Sequence, residues 1–99
     1  MVTIRQATII IETELRSLSD LGYKIEKRSS QSTNSCYFKI TNRYTSMIFR
    51  ISDHKTHKNI MTLRLDKENS EETVKKFVRN RIKDFNRRSC DTVLGLRHA

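Results

Sequence analysis

The spacing between apolar residues changes twice along this chain, and those two changes restrict the fold more than any other feature. At the start, Ile4, Ala7, Ile11, Leu15 and Leu18 recur at three- and four-residue steps. That spacing places them on one face of a helix over residues 3–21. Ile9 and Ile10 widen the apolar face, while Glu12, Glu14 and Arg16 lie off it. The run Ala7–Ile11 is rich in β-branched residues, a strand-like composition inside a helical period. Gly22 then supplies the residue that accepts a left-handed backbone at a helix end.

From Tyr23 the period falls to two. Tyr23–Lys27 reads as a first strand, and Ser29–Asn34 as a polar loop. In a second strand Cys36, Phe38 and Ile40 share one face, with Tyr37 and Lys39 on the other. After a turn at Asn42–Thr45, Met47, Phe49 and Ile51 face the core in a third strand, with Ile48 and Arg50 opposite. Ser52–Asn59 is a second polar loop. Met61, Leu63 and Leu65 mark a fourth strand, with Ile60, Thr62 and Arg64 opposite. Runs this close in sequence are expected to join as antiparallel hairpins.

Beyond Asn69 the helical period returns. Val74, Phe77, Val78, Ile82 and Phe85 form a stripe that predicts a helix over residues 70–87. Asn69 or Ser70 can cap it, Asn69-x-x-Glu72 has the capping-box spacing, and Glu71 and Glu72 suit the positive helix start. The expected fold is therefore α+β and two-layered. Its order is α-β-β-β-β-α, an antiparallel sheet with two helices packed on one face and the other face open. Residues 1–88 form the single domain and 89–99 a basic C-terminal tail. At 99 residues with 35% hydrophobic side chains, the chain has material for one modest core.

No apolar stretch reaches the length of a membrane span, and the start Met1–Arg5 lacks the basic-then-apolar order of a signal peptide. The expectation is a soluble, intracellular protein. Cys36 and Cys90 read as free thiols of a reducing compartment.

Charge separates the two parts of the chain. Twenty Lys and Arg stand against eleven Asp and Glu, a net charge of +9. Residues 1–22 carry two basic and three acidic side chains, and residues 23–99 carry eighteen and eight. Such a field attracts polyanions and excludes mimicry of DNA. Two surfaces concentrate it. The open sheet face is expected to display Tyr37, Lys39, Ile48, Arg50 and Arg64, with Lys24 or Arg28 nearby. Its cations suit phosphates, and Tyr37 suits stacking on a base. On the second helix Lys75, Arg79, Lys83 and Arg87 step by four opposite the apolar stripe, with Lys76 beside them. Like charges at that spacing repel by a few tenths of a kcal/mol per pair, roughly, which favours a use for the ridge over simple solvation.

Ser52, Asp53, His54 and His57 hold catalytic residue types close in sequence. Neighbours at a strand end point apart, so no triad is expected. His54-x-x-His57 with Asp53 lacks a Cys-x-x-Cys pair, so no metal site or cofactor is expected. Either imidazole suits a general base in a metal-free ribonuclease, which is the enzymatic alternative.

Three resemblances follow from these residues. The layout over residues 4–88, with Lys75-Lys76 and Arg79 near the start of the last helix, resembles the double-stranded-RNA-binding domain. That family uses such a cluster on phosphates across a major groove; its Gly-Pro-x-His loop is absent here. Leu21–Ile25, Tyr37-Phe38, Phe49–Ile51 and His54 are similar in layout to the HicA-type toxins, which cleave RNA. Where the toxin's catalytic His lies, this chain reads Ser32-Thr33-Asn34-Ser35. Finally, Ser35–Phe38 followed by Phe49–His54 resembles a pattern in small phage and mobile-element proteins, among them anti-CRISPR proteins. That resemblance implies a non-enzymatic inhibitor of a Cas9-type host defence nuclease, bound to the nuclease or to its guide RNA.

Overall fold

Thr3 opens the first helix. Its hydroxyl accepts the Gln6 amide at 3.1 Å, and Gln6 Oε1 accepts the Thr3 amide at 3.0 Å. This reciprocal pair satisfies donors that no helical carbonyl can reach. In the computed structural model, which describes residues 2–29, 35–53, 59–66 and 69–93, α1 spans Ile4–Asp20. The β-branched run stays helical because Ala7, Ile11, Leu15 and Leu18 are all buried on one face. Burying several such side chains outweighs propensity differences of roughly half a kcal/mol per residue. Gly22, at φ +86°, ends the helix. Its amide reaches Ser19 O at 2.9 Å and the Tyr23 amide reaches Leu18 O at 3.1 Å, the two bonds of a Schellman cap.

Four strands follow in chain order: β1 (Lys24–Ser29), β2 (Ser35–Thr41), β3 (Ser46–Ser52) and β4 (Met61–Arg64). They lie side by side as β1-β2-β3-β4. The β1–β2 and β2–β3 pairs are antiparallel as expected. The β3–β4 pair is parallel, so the sheet is mixed and the all-antiparallel expectation is corrected. Alternation could not reveal this, because it fixes which face a side chain takes and not the direction of pairing. The short connection suffices because β4 starts level with Phe49, part-way along β3, rather than at its beginning. The ladder then continues from the Leu65 amide to Ser52 O at 2.7 Å.

Asn42 builds the β2–β3 turn. Its Oδ1 accepts the amides of Tyr44 and Thr45 at 2.8 and 2.9 Å. Its Nδ2 donates to Ser89 Oγ at 2.8 Å, which ties the turn to the second helix. That helix, α2, spans Glu71–Val93, so residues 89–93, expected in a tail, are helical. No Gly or Pro occurs between Gly22 and Gly95, and the Asn42 bond holds the added turn. At the other end Ser70 and Thr73 exchange hydrogen bonds: the Thr73 amide donates to Ser70 Oγ at 3.4 Å, and the Ser70 amide to Thr73 Oγ1 at 3.3 Å. Asn69 instead donates to Arg64 O and Asp66 Oδ1.

Both helices cover the same side of the sheet. Phe38 and Phe49 stack at 5.3 Å on that side, Phe77 of α2 meets Phe49 edge-on at 5.8 Å, and Tyr23 meets Phe85 at 5.7 Å. These rings join Ile11, Leu15, Ile40, Ile51, Val74 and Val78 in one core. Lys27 also points to the helix side, where it pairs with Glu12 of α1 at the sheet edge.

Candidate nucleic-acid interface

Strand alternation sends Glu26, Arg28, Tyr37, Lys39, Ile48, Arg50, Thr62 and Arg64 to the side away from the helices, as their register with the core-facing residues requires. That side is not uniformly open. At one end Ser35 and Ser52, which oppose each other, are 3% and 0% exposed. Toward the other end Lys39 is exposed and Ile48 is 46% exposed. Between them lies Arg50, only 6% exposed. Its guanidinium sits 5.6 Å from the centre of the Tyr37 ring and donates to Ser52 Oγ at 3.4 Å. Arg50 was expected as a displayed phosphate contact. The structure makes it a packed cation instead, held within the sheet by the ring and the serine.

The remaining cations of this side differ. Arg28, Lys39 and Arg64 are exposed and make no ion pair with any described residue. Lys24 lies 3.8 Å from Glu26, a loose surface pair. Tyr37 is half-buried between Arg28 on β1 and Arg50 on β3. A groove of about 830 Å³ runs over this part of the sheet, bordered by Arg28, Tyr37, Lys39, Ile48 and Ile60. The expected first strand ended at Lys27, so Arg28 was left at its margin. The strand continues to Ser29 and seats Arg28 beside Tyr37.

The cations of α2 are divided. Arg79 makes a two-pronged contact to Glu14 of α1, at 3.0 and 3.3 Å. The Glu14 carboxylate, through its hydrogen bond and then its charge, raises the Arg79 pKa further above its ordinary value. Arg87 reaches Asp84 at 3.3 Å and Lys75 reaches Glu72 at 3.7 Å. Lys76 and Lys83 are exposed and pair with no described carboxylate. The ridge expected at Lys75, Arg79, Lys83 and Arg87 therefore contains one latch between helices, two local surface pairs and one lysine with no carboxylate partner among the described residues. Arg81 packs inward, over the Phe77 ring at 5.5 Å and against Asp84 at 3.1 Å.

The geometry separates the two sets. Lys76 and Lys83 face away from the sheet in the helical layer, while Arg28, Lys39 and Arg64 face away from the helices. One flat surface cannot touch both. Among the described residues no group of three or more His, Cys, Asp or Glu could hold a metal, and no helix is long and apolar enough to cross a membrane. His54 and His57 lie outside the described residues. Cys36 is buried and Cys90 exposed, both as free thiols. No protein-family model matches this chain, and no curated protein or solved structure matches it either.

Proposed function

We propose that this protein is a non-enzymatic module that binds nucleic acid. On the resemblance to anti-CRISPR proteins, we further propose that its target is the guide RNA of a Cas9-type defence nuclease, through which it inhibits that nuclease. The observation that carries the first statement is the set of exposed cations on the open sheet face, Arg28, Lys39 and Arg64, which pair with no carboxylate among the described residues. A fold that needed these charges only for internal ion pairs would place acids beside them, as it does beside Lys27 and Arg79. Cations exposed to solvent are available to displace counterions from a phosphate backbone.

Capture of the tagged protein from a bacterial lysate, with and without nuclease treatment, tests this reading. RNA should co-purify, and a Cas9-type nuclease should be recovered through it and released on digestion. Affinity for the RNA should fall by orders of magnitude between about 50 and 200 mM salt. A protein partner retained after digestion, with affinity nearly constant in salt, overturns the nucleic-acid reading in favour of an acidic protein face.

A further inference from the structure

Two grooves meet on this molecule. The first is the groove on the open sheet face, with Arg28, Tyr37 and Lys39 along it. The second, of about 780 Å³, passes the start of β3 and β4 and reaches α2 at Arg81, Asp84 and Arg88. Ile48 and Ile60 line both. A continuous track therefore leaves the open face, crosses an apolar saddle, and ends at Arg88 in the helical layer. The molecule measures only 42 × 28 × 24 Å, so the track turns from one layer to the other within a short distance.

We propose that this track holds a single-stranded nucleic acid, rather than a duplex. This rests on the nucleic-acid reading above and names the form of the ligand. A duplex is a stiff rod with a persistence length of about 150 base pairs, and it cannot turn a corner of this size without large bending cost. A single strand has rotatable backbone bonds and unstacked bases. Its phosphates meet Arg28 and Lys39 on the sheet and Arg88 beyond the saddle. Its bases meet the Tyr37 ring and the apolar surface of Ile48 and Ile60, the combination of cations and flat or apolar contacts that single strands favour. The carboxylates along the way are already engaged: Glu26 faces Lys24 at 3.8 Å, and Asp84 is shared by Arg81 and Arg87. Lys76 and Lys83, on the outer side of α2, lie off the track.

Fluorescence anisotropy with a labelled RNA of about 16 nucleotides, the DNA of the same sequence, and the RNA annealed into a duplex decides the matter. The single strands should bind about tenfold or more tightly than the duplex. Lys39→Ala with Arg88→Ala should weaken single-strand binding and flatten its salt slope by about 0.7 per lost phosphate contact. Lys76→Ala with Lys83→Ala should leave single-strand affinity within about twofold, since phosphate contacts are short-ranged at moderate salt. Circular dichroism identifies any variant that fails to fold, and Lys39→Glu, at an exposed position, then replaces it. Duplex binding as tight as single-strand binding, or a loss confined to the Lys76 and Lys83 variants, overturns the track and leaves the nucleic-acid reading standing. Failure of all three probes to bind overturns both.

Discussion

Arg50 and Lys39 sit on the same side of the same sheet, yet their surroundings assign them different work. Arg50 is desolvated, and its charge is held by the Tyr37 ring and Ser52 Oγ. Removing it leaves a gap in the sheet face and polar neighbours without their partner. Arg50→Ala should therefore lower stability by about 1–3 kcal/mol, whereas Lys39→Ala should change it by less than about half a kcal/mol. Urea denaturation of both variants checks this, and equal effects would contradict the placement of Arg50. Strand alternation made the facing of both residues legible from the sequence. The burial of Arg50 was not legible, because a long cationic side chain normally extends to solvent, as Lys39 does. What holds Arg50 in is a cross-strand neighbour, and cross-strand pairing is known only once the register is.

At the scale of elements, the order α-β-β-β-β-α and the buried residues of both helices followed directly from the two periods. The direction of β4 and the end of α2 did not. Parallel and antiparallel neighbours impose the same alternation, and the far end of α2 is stabilised by a bond from Asn42, distant in sequence. Local periodicity carries no trace of such a bond. Asn42 acts on two elements at once, closing the β2–β3 turn and docking α2. Asn42→Ala should destabilise the fold by about 3 kcal/mol, from three hydrogen bonds worth about 1 kcal/mol each net. Amide exchange should quicken both in the turn at Tyr44 and Thr45 and in the last turns of α2. Faster exchange in the turn alone would show that Ser89 does not need Asn42. The same distance effect hid the division of the α2 cations. Arg79 belonged by spacing to a binding ridge, but Glu14, on the other helix, had already claimed it.

For the whole molecule, two acidic side chains of α1, Glu12 and Glu14, serve as internal partners for Lys27 and Arg79. Glu12 raises the Lys27 pKa above the ordinary lysine value of 10.5, mainly by hydrogen bonding and then by charge. A raised folded-state pKa means a contribution that is fully present below 10.5 and is lost as pH climbs through the higher folded value. Stability from this pair should therefore be constant through neutral pH and decline only under alkaline conditions. Lys27→Met should remove that part of the alkaline decline, as measured by melting temperature against pH; an unchanged alkaline profile would show that the pair is too exposed to matter.

Pairing acids from one helix with bases from the rest has a further result. Residues 1–22 carry a net −1 and the rest of the chain +10. Among the helices and strands α1 alone carries a net negative charge, and every other element is net positive. A cationic body with one acidic segment approaches a polyanion with that segment turned away. On the proposed nucleic-acid reading, the helix that supplies the carboxylates for Lys27 and Arg79 is also the one turned away from the ligand.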